Sequence, residues 1–185
     1  MDDIRVAFAG ASGTGKTTLA KWISQTYKIP MNPIGSRTVA KAMGFENPYD
    51  VDKAGRRAEF QRSLIAQKRG WEDAHDSFVV DRTTLDNLVY TMLHDVSTID
   101  RELLDDIVEG LQRYTHIVFC PMAVFVHTGK DPSRVDSTVY HELYDATLRS
   151  LLQKYTPDTV RLETMLVSGI ARRRNSVRQL LGSEQ

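Results

Sequence analysis

The sequence of 185 residues lacks the features that would stabilise its fold by covalent cross-links or anchor it to a membrane. It contains one cysteine, Cys120, so no disulfide can form within the chain. No apolar run approaches the roughly 20 residues of a membrane span. The first residues lack the basic and apolar segments of a signal peptide. We therefore predict a cytoplasmic protein whose stability rests on its own hydrophobic core.

An excess of one charge is also missing. The 24 Lys and Arg residues balance 24 Asp and Glu residues, for a formal net charge of +0. The overall charge therefore indicates neither nucleic acid nor an anionic membrane as a partner. The end of the chain differs, because five arginines outweigh Glu163 and Glu184 from residue 161 onward, a local net of +3. This basic segment leaves contact with phosphate groups open.

Two further absences narrow the function. No Asn-Lys-x-Asp motif is present to recognise guanine, and the single Asp-x-x-Gly, at residues 52–55, lies at the start of a predicted helix. These features argue against a GTPase. The five histidines have no Cys or Glu at the spacing of zinc ligands. The sequence therefore does not predict a zinc site.

Apolar, β-branched segments alternate with helical patterns along the chain. The alternation predicts a three-layer α/β fold, with a parallel sheet of about five strands and helices on both faces, in one domain over residues 1–185. The predicted strands are residues 4–9, 78–80, 117–120 and 159–162, with a weaker one at 29–31. The predicted helices are residues 17–27, 54–75, 100–114, 136–155 and 168–181. In the last helix, Ile170, Val177 and Leu181 are predicted to face inward, and Arg172, Arg173, Arg174 and Arg178 outward.

One motif carries the strongest functional signal. Residues 10–17, Gly-Ala-Ser-Gly-Thr-Gly-Lys-Thr, match the phosphate-binding loop G-x-x-x-x-G-K-[ST] directly after the first strand. Glycines let successive N–H groups turn toward a phosphate, the lysine reaches the β- and γ-phosphates, and the threonine can ligate Mg²⁺. The sequence therefore predicts an α/β fold of the P-loop NTPase class that binds a nucleoside triphosphate, ATP, with Mg²⁺. The predicted contacts are Gly10, Ala11, Ser12, Gly13, Thr14, Gly15, Lys16, Thr17 and Thr18.

A second motif follows the next strong strand. Asp81 and Arg82 stand at its carboxyl end, where a carboxylate beside the phosphate loop can hold Mg²⁺ or accept the proton of an attacking hydroxyl. Arg82 can neutralise charge on the transferring phosphoryl group, or bind a phosphate or carboxylate of an acceptor. Thr17 and Asp81 are the predicted metal ligands. Lys16, Asp81 and Arg82 are the predicted catalytic residues.

These motifs resemble those of small P-loop kinases. The phosphate loop, the stretch at residues 81–86 followed by Tyr90, and a loop with Asp131 and Arg134 before a helix are similar to the group of the nicotinamide riboside kinase domain and phage-type nucleotide kinases. Thymidylate and deoxynucleoside kinases are more distant relatives of that group. The resemblance implies a lid at residues 127–136, whose Arg134 closes over the phosphates as a fourth catalytic residue.

The same resemblance implies where the two substrates bind. The acceptor region would be residues 34–75, with contacts from Arg37, Arg57, Gln61 and Arg62. Two or more convergent arginines would suit an acceptor that already bears a phosphate. Adenine would lie near residues 164–169, with Arg172 or Arg173 stacked over the ring.

The expected activity is an ATP- and Mg²⁺-dependent kinase acting on a nucleoside, a nucleotide or a related hydroxyl compound, as a monomer or homodimer. An alternative within the kinases is phosphorylation of a hydroxymethylated base within DNA, as in phage DNA modification. An alternative of another class is a regulatory switch that couples ATP binding to a partner. The sequence leaves these alternatives open.

Overall fold

The computed structural model describes residues 3–122 and 137–182. Within these ranges, four short strands form one sheet in which each neighbouring pair is parallel. The strands are β1 (Arg5–Ala9), β2 (Phe78–Asp81), β3 (His116–Phe119) and β4 (Arg161–Thr164), in the spatial order β2-β1-β3-β4. The predicted parallel α/β fold is confirmed.

The predicted strand at residues 29–31 is reduced to a single bridge. Met31 pairs with Val79 of the edge strand β2, and Val79 N donates to Pro30 O at 3.0 Å. Pro30 and Pro33 have no N–H group, so a longer strand here would lack donors for the ladder. The described residues therefore form four strands, where the sequence predicts about five.

Helices fill the connections between strands. In the described residues these are α1 (Lys16–Tyr27), α2 (Ser36–Ala42), α3 (Pro48–Lys53), α4 (Arg57–Asp73), α5 (Thr84–Asp95), α6 (Arg101–Gly110), α7 (Thr138–Tyr155) and α8 (Ile170–Leu180). The patterns at 17–27, 54–75, 100–114, 136–155 and 168–181 correspond to α1, α4, α6, α7 and α8. The predicted 100–114 helix ends at Gly110 and continues as a single 3₁₀ turn, Leu111–Arg113.

Side chains of the strands alternate between two hydrophobic clusters. On one face Ala7, Val80 and Ile117 pack with residues of α4 to α7. On the other face Phe8 and Val118 pack with residues of α1 and α8. Because successive strand residues point to opposite faces, the sheet is covered on both sides. The predicted three-layer arrangement is confirmed.

The order of the strands determines where a ligand can bind. The chain passes from β1 to β2 on one side of the sheet and later to β3 on the other side of β1. In open parallel sheets of this kind, ligands bind outside the carboxyl ends of the strands at the point where the direction reverses. The loops after β1 and β2, which carry the two sequence motifs, therefore meet at this edge.

The last helix is rotated relative to the sequence prediction. Val177 is fully buried as predicted, but Ile170 is 44% exposed and Arg173 only 1%. Gly169 starts the helix with a φ of 82°, and the buried face then runs through Arg173, Val177 and Leu180 at the i, i+4, i+7 spacing. The prediction that Ile170 faces inward and Arg173 outward is therefore wrong. Arg173 points at the phosphate loop instead.

In the ranges that the structure describes, no helix combines the length and the apolar character that a membrane span requires.

Helix α7 offers a direct test of the packing. Leu148 is fully buried in the larger cluster, whereas Leu143 of the same helix is 54% exposed. We expect Leu148→Ala to lower the free energy of unfolding by about 2–5 kcal/mol, because it removes buried surface and leaves a cavity. Leu143→Ala is the matched control, with an expected change within about 0.5 kcal/mol. Urea unfolding of both variants measures the difference, and equal losses would contradict the placement of α7.

Candidate functional site

The loop between β1 and α1 has the backbone of a phosphate cradle. Gly10, Gly13 and Gly15 have φ values of 141°, 84° and 80°, a region that side-chain-bearing residues rarely adopt. A Cβ on Gly10 would also lie 2.5 Å from Cys120 O, inside van der Waals contact. Helix α1 begins at Lys16, directly after the loop. The free N–H groups of its first turn therefore lie beside the loop, where they can bind an anion.

Lys16 is held inside this loop. It is 4% exposed, and its Nζ donates to Ala11 O at 2.5 Å and to Thr14 Oγ1 at 3.1 Å. Burial, together with the nearby Arg82 charge, lowers the pKa of Lys16 to about 8, although the carboxylates of Asp81 and Asp86 oppose the shift. The ammonium group is therefore poorly compensated within the protein, which favours an anion beside it.

The two predicted metal ligands lie in contact. Thr17 Oγ1 donates a short hydrogen bond to Asp81 Oδ2. The other carboxylate oxygen, Asp81 Oδ1, is buried and has no hydrogen-bond partner among the described residues. A hydroxyl and a carboxylate with an unsatisfied oxygen are hard oxygen ligands, the type that Mg²⁺ prefers. The residues present therefore fit a magnesium ion at this position.

Arg82 connects the end of β2 to the phosphate loop by hydrogen bonds. Its φ of 87° is unusual for a residue with a side chain. Its guanidinium donates to Gly10 O at 3.2 Å and to Ser12 Oγ at 3.1 Å, and lies 4.9 Å from the ring centroid of Tyr90. The predicted catalytic arginine is thus bonded to the loop itself. Its contact with a transferring phosphoryl group stays a prediction.

Asp86 organises this region, and the sequence prediction missed it. The side chain is fully buried and accepts hydrogen bonds from Gly10 N at 3.1 Å, Tyr144 Oη at 2.8 Å and Arg82 Nη1 at 3.4 Å. Its other oxygen accepts from Thr83 N and Oγ1, which completes a capping box at the start of α5. The Thr-x-x-Asp spacing of residues 83–86 was a readable signal of that cap.

Lys68 of α4 bonds the backbone of Arg82, and the sequence prediction also missed this residue. It is 3% exposed, and its Nζ donates to Arg82 O at 2.6 Å. Burial lowers the pKa of Lys68, an effect that Glu72 one turn away opposes. Burial likewise raises the pKa of Glu72, which accepts from Asn32 Nδ2 at 3.2 Å. The sequence signal for the burial of Lys68 was its position on the apolar face of the predicted 54–75 helix, with Leu64 and Ile65.

A cleft of about 990 Å³ opens beside these residues. Six of the nine predicted nucleotide contacts line it, namely Ser12, Gly13, Gly15, Lys16, Thr17 and Thr18. Asp81 and Arg82 line it as well. Its other lining residues lie before and on α2 and on α3, α4, α5 and the start of α7. We call this part of the cleft the second chamber.

The structure brings three of the four predicted acceptor contacts to this chamber. Arg37, at the exposed start of α2, lines it together with Arg57 and the buried Gln61. Arg57 bonds Asp52 with one guanidinium nitrogen and Tyr90 O with the other, at 3.2 Å for the latter. The fourth residue does not line the cleft.

Arg62 points away from the cleft because the long helix α4 presents it to α6. Its guanidinium pairs with Asp100 and approaches Glu102 at 3.9 Å. The side chain is 38% exposed. The structure therefore places Arg62 in a surface ion pair between helices.

The arginines of α8 are divided between surface and site. Arg172 is exposed and donates to Ser168 Oγ at 3.1 Å. Arg173 is the one that reaches the phosphate loop, where it donates to Thr14 O at 2.8 Å. The predicted lid at 127–136, including Arg134, lies outside the described residues.

A family model described as "AAA domain" matches residues 5–168. The chain belongs to this family. No curated protein sequence matches it.

Solved structures with low sequence identity to this AAA domain share its fold. The NadR protein in complex with NAD and AMP-PNP is 16% identical with a TM-score of 0.68, over 99% of this chain and 51% of that one. Thymidylate kinase from Candida albicans is 14% identical with a TM-score of 0.66, over 98% and 92% of the two chains. Deoxyadenosine kinase from M. mycoides with bound dATP is 12% identical with a TM-score of 0.64, over 97% and 100%. These likenesses confirm the resemblance to small P-loop kinases at the level of the fold.

The buried carboxylate of Asp86 predicts a large effect on the stability of the AAA domain. We expect Asp86→Asn to lower the free energy of unfolding by about 3 kcal/mol, because the amide sets an N–H group against donors and leaves Arg82 without its counter-charge. Urea unfolding measures the loss. The control is Asp105→Asn, which breaks an exposed pair with Arg101 at 2.9 Å and should cost less than about 0.5 kcal/mol. Equal effects of the two variants would contradict the role of Asp86.

The lowered pKa of Lys16 predicts pH-dependent binding of a nucleoside triphosphate. The free protein loses the Lys16 proton as the pH rises through about 8, whereas bound phosphates keep it. Binding above that pH should therefore take up close to one proton, and affinity should fall as the pH rises. Calorimetry in two buffers of different ionisation enthalpy measures the uptake.

Lys16→Arg is the control for this proton uptake, because a guanidinium stays protonated throughout this range. Any uptake that remains in this variant belongs to another group. An affinity of the native protein that is constant across this range would contradict the lowered pKa.

Proposed function

We propose that this AAA domain is an ATP- and Mg²⁺-dependent phosphotransferase that moves the γ-phosphate to a hydroxyl of a nucleoside, a nucleotide or a related acceptor. The observation that carries the proposal is the position of Asp81. Asp81 lines the cleft together with the phosphate loop and the residues of the second chamber, and its buried Oδ1 has no hydrogen-bond partner among the described residues. A carboxylate at this junction stands where an acceptor hydroxyl would meet the γ-phosphate.

The second chamber favours transfer over simple hydrolysis. Attack by water needs room for one small molecule, whereas this cleft continues past Asp81 to the buried Gln61 and Asn87 and to Tyr90. Polar groups on an apolar wall are typical of a site that orients a small organic molecule. Deoxyadenosine kinase and thymidylate kinase, which share the fold, are kinases, and this supports the same reaction class.

Each residue of the loop edge has a role in this proposal. Lys16 and the loop N–H groups bind the phosphates and orient the γ-phosphate. Thr17 and Asp81 would hold Mg²⁺, which neutralises phosphate charge when it is bound. Asp81 serves either to organise that ion or to take the proton of the acceptor hydroxyl. Arg82 keeps the loop in place and supplies positive charge next to the reacting groups.

Three further roles belong to the proposal. Arg134, in the lid segment, would cover the phosphates and exclude water. Arg172 would lie over the adenine ring, since it stands on the exposed face of α8 near the end of β4. Arg37 and Gln61 would contact the acceptor, because both line the second chamber.

A transfer assay with γ-labelled ATP and Mg²⁺ tests the proposal. The acceptors are nucleosides, nucleoside monophosphates, nicotinamide riboside and DNA containing hydroxymethyluracil. We expect label on one class of acceptor, and a loss of at least about 10²-fold in Asp81→Asn, because the carboxylate can no longer hold a cation or a proton. The control is Asp76→Asn, the same change at an exposed position just before β2, which should keep the native rate.

The remaining outcomes of this assay identify the alternatives. Label on DNA alone, with transfer that weakens steeply with salt, would indicate a kinase for a base within DNA. Label released only as inorganic phosphate, at the same slow rate with every acceptor, would overturn the phosphotransferase and favour an ATP-dependent switch.

A further inference from the structure

The second chamber has an unusual charge balance, which bears on the acceptor of the proposed phosphotransferase. Arg57 is the most deeply placed of its predicted acceptor-binding arginines, and its side chain is 12% exposed. Its guanidinium is already paired with Asp52, another residue of the chamber wall, and donates to Tyr90 O. The positive charge of Arg57 is therefore balanced before any acceptor binds.

Two other cations beside the chamber, Arg82 and Lys68, also have partners within the protein. Arg82 is paired with the buried Asp86 and bonded to Gly10 O. Lys68 donates to Arg82 O and has Glu72 one turn away. Arg37 stands at the exposed rim, at the beginning of α2.

The chamber wall also carries uncharged polar side chains. Asn87, which is 6% exposed, and Tyr140, which is partly buried, both line it. Asn87 Oδ1, the Tyr140 hydroxyl and Arg57 Nε are buried atoms without a hydrogen-bond partner among the described residues. An amide and a hydroxyl in the wall suit the hydroxyl and amide groups of a small molecule, because neither carries a charge that would attract a phosphate.

The charges around the second chamber are unfavourable for a phosphate group on the acceptor. It would face the carboxylates of Asp52 and Asp81, both of which line the cleft. To bind it, Arg57 would have to leave Asp52, and that carboxylate would then stand inside the cleft without its counter-charge. Because an unpaired charge away from water is costly, the native pairing works against a phosphorylated acceptor.

We propose that the acceptor of this enzyme carries no phosphate: it is an uncharged, hydroxyl-bearing compound such as a nucleoside, and Asp52 enforces this choice by neutralising Arg57. The inference rests on the proposed phosphotransfer and narrows it. It also reverses the expectation that convergent arginines bind a phosphorylated acceptor, because Arg62 lies outside the cleft and Arg57 is paired within it.

The test compares kcat/KM for a series of nucleosides with that for their 5′-monophosphates, in the native protein and in Asp52→Asn. We expect the native protein to favour the nucleoside by about tenfold or more. Asp52→Asn releases Arg57 and should raise the relative kcat/KM for the monophosphate by about tenfold. The matched control is Asp50→Asn on the same helix, which removes the same charge from a residue that bonds Asn47 and Lys53. Its selectivity should remain that of the native protein.

Several results would overturn the inference while leaving the phosphotransferase standing. These are a native preference for monophosphates, an unchanged selectivity in Asp52→Asn, or an equal shift in Asp50→Asn. If Asp52→Asn does not fold, the native ratio of nucleoside to monophosphate decides the question alone. Transfer to no acceptor at all, with release of inorganic phosphate, would instead overturn the proposed function and the inference together.

Discussion

The buried carboxylate of Asp86 connects three parts of the chain that are far apart in sequence. It accepts hydrogen bonds from the first residue of the phosphate loop, from the turn that starts α5 and from Tyr144 of α7. A charge that is removed from water must be satisfied by donors, and here the donors belong to the elements that form the cleft. The position of the loop relative to β2 is therefore set by electrostatics as well as by the sheet.

The short segment at the end of β2 depends on this anchor and positions the side chain of Asp81. Arg82 adopts a φ of 87° because its carbonyl is held by Lys68, its N–H by Phe8 O and its guanidinium by the loop and Asp86. This conformation leaves the preceding residue, Asp81, facing Thr17. Strained backbone of this kind persists where surrounding contacts over-determine it, and it is common at functional sites. One anchored turn thus places the Asp81 carboxylate in the cleft that the phosphate loop shares with the second chamber.

The parts of the fold that follow from local pattern were predictable. Strong apolar runs and one specific glycine motif locate the strands, the main helices and the phosphate loop, because these depend on periodicity and backbone geometry. Helix α5 was missed because its buried face includes Thr84, Asp86 and Asn87, polar residues that hide a helical pattern. The pairing of Arg62 with Asp100 and the inward turn of Arg173 depend on tertiary contacts, which leave no trace in local periodicity.

We propose that one cleft joins a triphosphate site, which Asp81 lines, to a chamber for an uncharged acceptor. The most direct measurement is a crystal structure with a non-hydrolysable ATP analogue, Mg²⁺ and a nucleoside. We expect the phosphates against Lys16 and the loop, the ion on Thr17 and Asp81, and the nucleoside hydroxyl beside Asp81 with the Arg57–Asp52 pair intact. A nucleotide bound away from the loop, or a nucleoside outside the chamber, would contradict the claim.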